Sequence, residues 1–583
     1  AGFEPAHLAP EASALSPELR GLSDHSLHYR TMITDHLSDL VRRALERAAA
    51  EGAFPLEGVP VIEFERPRRR EHGDWSTNLA LGLAKGGGNP RPLAQALAER
   101  LPASSMVESV EVAGPGFLNF HLSTDWLHDV VTRAADEASA FGRADSGSGT
   151  KVNIEYVSAN PTGPINVVSG RHAAIGDAIA NLLKAVGCEV TREYYFNDAG
   201  RQLVLFAESI ATHYLRHFDV EAELPEDGYR GDYVADLARE IAQEIGDELV
   251  HVDAEKRTTA LLERGPPRML GKIRASLERF GTHFDVWTLE RSLHESGAVE
   301  TALRRLGVRG YAEESDGALW FKATDLGDDK DRVLVRSNGA PTYLASDVAY
   351  FVHKFDRGFD RLIYLLGPDH HGTVARMLAT AEALGYDRNR VEIHLVQVVT
   401  LSSGGTTFKA SKRAGVVVGL DELMDEVGID AARYTFLTRA MESPLEFDIE
   451  LVKQQAPENP VFYVQYAHAR ICSILRRADE EDIRASGAGV PLDRLVHPSE
   501  TELMRKLAVY EEVVPEAAHS RAPQRIARYI EELAGAFSAF YRDCKVISED
   551  NELSGERLKL CVATKRVIGD GLGLLGVAAP EKM

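Results

Sequence analysis

VNIEYVSANPTGPINVVSGRHAAIGDAIANLLKAVG, residues Val152–Gly187, is the stretch on which the fold turns. VNIEYVS alternates apolar and polar residues and predicts a strand over Val152–Ser158. ANPTGP then breaks the pattern, since two prolines around a glycine continue neither strand nor helix. Beyond it Ile175, Ile179, Leu182, Leu183 and Val186 share one face of a helix, and Gly187 marks its stop. Strand, Gly/Pro loop and helix are the opening of a nucleotide-binding α/β sheet.

Downstream of this unit, about Phe206 to Arg309 is charged and helical and reads as an insertion. Strand signals return at ALWFKA, RVLVRS, RLIYLLG and IHLVQVV, with helices between them, so the sheet is expected to resume there. From Ala456 onward nearly every segment reads as helix. Upstream, the Gly/Ser-rich run Asp145–Gly149 reads as a linker. Before it, a helix starts near Thr31, VPVIEF (Val59–Phe64) reads as a strand, a helix follows over Pro92–Leu101, and FLNFHL (Phe117–Leu122) alternates after the turn AGPG. Residues 1–30 carry no apolar signal core and read as a flexible extension or expression remnant. The expected domains are 31–140 (α+β), 141–455 (split α/β) and 456–583 (all-α).

The composition, 44% hydrophobic and 27% charged over 583 residues, excludes a wholly disordered chain and a small disulfide scaffold. No apolar run of about 18 residues predicts a membrane span. Cys188, Cys472, Cys544 and Cys561 form no C-x-x-C pair, which fits a reducing cytosol and offers no structural metal site. The net charge of −23 argues against a nucleic-acid partner at first sight. Residues 456–583, however, carry 17 basic and 20 acidic side chains and are nearly neutral, so a nucleic-acid contact belongs on selected surfaces.

Two strings bracket the α/β part: SANPTGP (Ser158–Pro164) and KASKRAG (Lys409–Gly415). Two lysines and a serine in a short loop can close over departing pyrophosphate, although a solvated basic loop is the ordinary meaning of such a string. With EYYFNDAGRQ (Glu193–Gln202), GALWFKATDLGDDKDRVLVRSNGAPTYLASDVAY (Gly317–Tyr350), LGPDHHG (Leu366–Gly372) and NPVFYVQYAHARICSI (Asn459–Ile474), these strings resemble the bacterial-type arginyl-tRNA synthetases. HGDWSTNLALGLAK (His72–Lys85), VAGPGFLNFHL (Val112–Leu122) and the ending GLGLLGVAAPEKM extend the resemblance to nearly all of Thr31–Met583.

The resemblance implies a class I synthetase. Its fold would be a Rossmann-type α/β catalytic domain with helical insertions, an N-terminal α+β domain that contacts tRNA, and a C-terminal all-α anticodon-binding bundle. ATP, as its Mg2+ complex, and L-arginine would form arginyl-adenylate with tRNA present, and the arginyl group would pass to tRNA(Arg). A cytoplasmic monomer is expected, with neither membrane partner nor structural metal.

Carried over residue by residue, the resemblance places Glu155, Ser158, Asn160, Tyr343, Asp347 and His371 around arginine. Forked carboxylates suit a planar guanidinium better than an ammonium. Pro164, Asn166, Ser169, Gly367, Asp369, His370, Lys409 and Lys412 fall around ATP, with Lys409, Ser411, Lys412, Asn166 and Ser169 carrying the chemistry. Asn78, Tyr463, Gln465, Tyr466, His468, Arg470, Arg521 and Arg525 fall toward tRNA; Arg521, Arg525 and Arg528 recur at i, i+4 and i+7, as on one helix face, and RPRRR (Arg66–Arg70) is a second basic cluster. The family's His-x-Gly-His is replaced by Asn166-Val167-Val168-Ser169, whose amide and hydroxyl, with a helix N-terminus near Val168, would meet the phosphates instead. That loss supports a competing reading, a noncatalytic tRNA-binding paralogue. A tRNA-independent nucleotidyl-transferring enzyme is the third reading, and it should lack the N-terminal domain and the NPVFYVQYAHAR helix.

Overall fold

The computed structural model describes residues 32–583 apart from 53–57, 59, 68, 85–88, 137–140, 199, 404–405, 409–418 and 488. The chain forms two units, 1–122 and 123–583. In the first, α1 (Met32–Ala50) buries Leu37, Val41, Ala44, Leu45 and Ala48, which recur at helical spacing. β1 (Trp75–Thr77), β2 (Val107–Ala113) and β3 (Phe117–Leu122) form an antiparallel sheet in the order β1-β3-β2. AGPG closes the β2–β3 hairpin, with Gly114 and Gly116 both at positive φ. α2 (Leu79–Leu83) and α3 (Pro90–Ala98) complete the unit. VPVIEF forms no strand among its described residues. Pro60 lacks the N–H of a ladder, Val61 is 71% exposed, and pairing begins just past the segment, where Glu65 bridges Ser76.

The second unit opens with α4 (Thr124–Asp136). Its centre is a parallel sheet, β11-β10-β4-β5-β6, built from β4 (Lys151–Glu155), β5 (Glu189–Phe196), β6 (Val286–Leu289), β10 (Arg361–Leu366) and β11 (Val391–Leu395). Val152, Asn153, Ile154 and Glu155 are all buried, as in a strand covered on both faces. α5 (Val167–Ala185) is buried along nearly its whole length. The chain moves from β4 to β5 and β6 on one side, then returns to β10 and β11 on the other. The β4/β10 boundary is therefore the topological switch point, where ligands bind in open α/β sheets.

Three expectations change here. The helices α6 (Arg201–His217), α7 (Asp232–Ile245) and α8 (Ala254–Arg279) are an insertion, but β6, inside the range expected for it, is the sheet's edge strand. After α9 (Glu290–Glu295) and α10 (Ala298–Val308), ALWFKA and RVLVRS do not rejoin the central sheet. They form β8 (Ala318–Phe321) and β9 (Arg332–Val335), which with β7 (Ala312–Ser315) make a separate antiparallel sheet. The run Asp145–Gly149 is a packed turn, with Gly147 N–H donating to Val186 O at 2.7 Å.

That small sheet leads into α11 (Tyr343–Asp356), and α12 (Val374–Ala383) follows β10. β12 (Val399–Ser403), β13 (Thr406–Phe408) and β14 (Leu445–Asp448) form a third sheet, with α13 (Leu420–Val427) and α14 (Ile429–Phe436) between the last two strands and α15 (Ile449–Val452) after them. The rest is helical: α16 (Pro460–Glu480), α17 (Pro498–Ala508), α18 (Tyr510–His519), α19 (Gln524–Asp543) and α20 (Asn551–Leu574). The overall class is the expected α/β domain with an α+β unit before it and a helical bundle after it.

One buried guanidinium ties the bundle's tail to the sheet. Arg433 of α14 donates to Asp177 of α5 at 2.6 Å, to Phe280 O at 2.7 Å and to Leu575 O at 3.4 Å. Asp177 also accepts from Arg192 at 3.2 Å.

Candidate active site

The turn after β4 is strained and clasped. Val157 and Ser158 hold φ of 68° and 40°, an uncommon region for non-glycine residues, least of all β-branched valine. The hydroxyl of Tyr194 fixes the turn by donating to Ala159 O at 2.8 Å and accepting from Ala159 N at 3.0 Å. Ser158 Oγ donates to Glu155 Oε1 at 3.0 Å and accepts Tyr195 N–H at 3.2 Å. Asn160 Nδ2 donates to Gln202 Oε1 at 2.9 Å. These contacts hold the SANPTGP loop at the carboxyl end of the sheet.

Acidic side chains converge beside it. Glu155 ends β4, Asp347 lies in the second turn of α11, and Glu290 opens α9 directly after β6. Asp347 is raised to about 7, first by removal from water and then by the charges of Glu290 and Glu155, against the opposing guanidinium of Arg376. The Tyr195 phenol is raised by burial and by Glu290, Asp347 and Glu155. Tyr343, one turn before Asp347, is 60% exposed, and Gly200 lies against its hydroxyl without a side chain to block it. Several carboxylates around one tyrosine, only partly paired within the protein, have the charge and geometry to suit a strong organic cation. Glu290 escaped the sequence reading because β6 did; a carboxylate just past a sheet strand is the signal that would have found it.

Beneath Glu155 lies a paired layer. Lys354 donates to Glu155 Oε2 at 2.6 Å, and Glu193 accepts from Asn153, Thr288, Tyr350 and Arg357 at 2.6–2.7 Å. Burial would raise Glu193, but Lys354, Thr288, Arg357 and Tyr350 outweigh it and hold the carboxyl at about 2. Neither Glu193 nor Lys354 was a candidate from sequence.

Across the switch point, α5 begins at Val167, one residue before the expected start. Asn166 is its N-cap, with Oδ1 accepting Ser169 N–H at 2.9 Å. Asn166 also bridges Gly419, and Leu420 N–H donates to Ile165 O at 2.8 Å. Pro164, Asn166 and Ser169 are half-buried. Gly367 caps a 3₁₀ turn, Pro368–Thr373, at the end of β10, and this turn displays Asp369, His370 and His371 in exposed positions. His172, buried in the first turns of α5, is lowered to about 4 by burial and by Arg171 and His370, against a backbone hydrogen bond at Leu365. Lys409, Ser411 and Lys412 lie outside the described residues. Among the described residues no group of three or more His, Cys, Asp and Glu could hold a metal ion.

The expected tRNA-facing residues separate. Asn78 is exposed at the start of α2. Tyr466 is 41% exposed, with Arg470 over its ring, and Tyr463 is half-buried against Ser538. Gln465 and His468 are buried instead, because they hold the tail: Gln465 donates to Ala578 O at 2.9 Å, and His468 pairs with Pro580 O at 2.8 Å. The arginine stripe is also corrected. Arg521 precedes α19 at φ 52° and makes a bidentate pair with Glu392 of β11 at 2.9 and 3.0 Å. Arg525 and Arg528 remain on the helix with exposed side chains, paired with Glu516 and Glu532.

Three family models together match most of the chain. Residues 35–122 match the family model described as arginyl tRNA synthetase N terminal domain. Residues 134–444 match tRNA synthetases class I (R), catalytic domain, and 464–583 match the DALR anticodon binding domain. The arginine–tRNA ligase of Carboxydothermus hydrogenoformans is 45% identical over 94% of this chain and 99% of its own. That of Moorella thermoacetica is 46% identical over 93% and 97%. The structure of Thermus thermophilus arginyl-tRNA synthetase superposes with a TM-score of 0.72 at 25% identity, covering 95% of this chain and 100% of that one.

Proposed function

The chain belongs to the arginyl-tRNA synthetases, and on that premise we propose how its own residues carry out the ATP-dependent attachment of L-arginine to tRNA. The observation that carries the reading is the convergence of Glu155, Glu290 and Asp347 on Tyr195 at the carboxyl end of the sheet. The guanidinium takes Asp347 and Glu290, with Tyr343 closing over it. The α-ammonium faces Glu155, Ser158 and Asn160 on the strained turn. The carboxylate of arginine is then directed along the switch point toward α5.

In the first step that carboxylate attacks the α-phosphate of Mg2+-bound ATP, and pyrophosphate leaves. The attacking group is already an anion, so no base is required. What the step needs is alignment and compensation of charge that builds on the leaving group. Asn166, Ser169 and the α5 N-terminus meet the phosphates from one side. Gly367, Asp369 and His370 flank the nucleotide from β10, with His371 toward arginine, and Lys409, Ser411 and Lys412 close over the pyrophosphate. The Asn166 cap spends Oδ1 on Ser169 N–H, so toward ATP the residue has its Nδ2 to offer as a donor. In the second step the 3′-terminal adenosine of tRNA takes the arginyl group and AMP leaves. Asn78, Tyr463, Tyr466, Arg470 and Arg525 contact tRNA, and tRNA completes the site for the first step by induced fit.

A charging assay with purified tRNA, ATP and each amino acid tests this. Arginine is charged; lysine is rejected by up to about 10⁴-fold, because its ammonium leaves buried acceptors unpaired. Comparable lysine turnover would refute the pocket. No charging of any amino acid would favour the noncatalytic paralogue, for which the replaced histidines are the specific observation.

A further inference from the structure

Tyr364, Glu155 and Glu193 stand in one row across three adjacent parallel strands: Tyr364 is in register with Glu155, and Glu155 with Glu193. Registered side chains share a face of the sheet about 4.8 Å apart, so two carboxylates lie side by side in a dry interior. Like charges so placed repel strongly unless cations intervene. Lys354 and the residue just past α11, Arg357, supply them, one to each carboxylate.

Lys354 has a fully buried side chain. Its ammonium lies 2.6 Å from Glu155 Oε2 and 4.3 and 4.2 Å from the ring centres of Tyr350 and Tyr364. The Tyr364 hydroxyl has no hydrogen-bond partner among the described residues, so what Tyr364 offers the ammonium is its ring face. A buried ion pair is weak grounds for stability, since well-packed apolar residues do as well or better. What this pair does is geometric. With Oε2 tied to Lys354 and Oε1 to Ser158, the Glu155 carboxylate has one orientation. Lys354 also follows Asp347 by seven residues, two turns along the same side of α11, so one helix supports both ends of the amino-acid pocket.

We infer that Lys354 is a positioning residue for arginine: by anchoring Glu155 it orients the carboxylate that receives the α-ammonium, and it thereby sets the KM for arginine. This rests on the proposed reading of Glu155.

The test is pyrophosphate exchange with tRNA present, for Lys354→Met, Glu155→Gln and the double variant, each checked for folding by thermal melt. Lys354→Met raises the arginine KM about tenfold or more, with the ATP KM within about twofold and kcat changed less. The double variant is no worse than Glu155→Gln alone, because Lys354 acts only through that carboxylate. Arginine KM, ATP KM and kcat changing together in a folded Lys354→Met, or effects that multiply in the double variant, would overturn the inference. An arginine KM unchanged in Glu155→Gln would refute the pocket reading itself, a separate outcome. If Lys354→Met alone does not fold, the double variant, which removes both charges of the pair, carries the test against Glu155→Gln alone: a clearly higher arginine KM in the double variant overturns the role.

Discussion

Lowering the pH from 8 to 6 weakens arginine binding about tenfold, through Asp347 alone. Burial, Glu290 and Glu155 hold this carboxyl at about 7, while Arg376 opposes them. Its ordinary value is about 3.9, so the unliganded protein keeps a proton that other aspartates lose. Only the ionised form pairs with a guanidinium, and the substrate's own cations are charged throughout this range. The sign follows: the group is raised, so acid protonates it and arginine must expel the proton. The arginine KM scales as one plus the protonated-to-ionised ratio, which gives factors of about 11 at pH 6, 2 at pH 7 and 1.1 at pH 8. The assay is arginine KM in tRNA-dependent pyrophosphate exchange across that range, with ATP KM followed in parallel to separate an effect on arginine from one on ATP. Asp347→Asn flattens the profile and raises the arginine KM at pH 8 by the loss of a charge-assisted bond, about 1.5–3 kcal/mol. A flat profile in the parent protein, or a slope that survives Asp347→Asn, refutes the reasoning.

Lys409→Ala and Lys412→Ala each lose about 2.7–4 kcal/mol of adenylation-barrier stabilisation in single-turnover assays while tRNA affinity holds. Asn166→Ala removes a helix cap and lowers stability by about 1 kcal/mol in denaturant melts, and both it and Ser169→Ala slow adenylation by of order 1–3 kcal/mol; parental rates would refute their ATP contacts. Arg433→Met leaves Asp177 with only Arg192 and costs about 3–5 kcal/mol of stability by urea unfolding; a loss below about 1 kcal/mol would show the tail anchored elsewhere. Arg521→Ala destabilises the protein without weakening tRNA binding, measured by filter binding, because its guanidinium serves Glu392; a selective loss of tRNA affinity would return it to the interface.

Local pattern carried the sequence reading far. The strand, break and helix of Val152–Gly187 were legible because alternation, prolines and a 3.6-residue period act within a few residues of each other. The family was legible for a different reason, since its strings are long and ordered along the whole chain. What stayed hidden was everything set by partners distant in sequence. RVLVRS reads as a strand equally well in either sheet, and only pairing put it outside the central one. Arg521 fits a helical stripe by spacing, yet α19 starts after Pro523 and the guanidinium turns to a strand 129 residues away. Gln465 and His468 have the chemistry of base readers, but the folded tail covers them. Glu155 was visible as a candidate, whereas Lys354, 199 positions on, became its partner only through the docking of α11 on the sheet. Sequence alone therefore determined most of the elements, the family and the reaction, while VPVIEF and β6 escaped it. Tertiary structure decided which charges are spent on each other and which remain for arginine, because Coulomb energy depends on distance and burial, and neither is a property of sequence spacing.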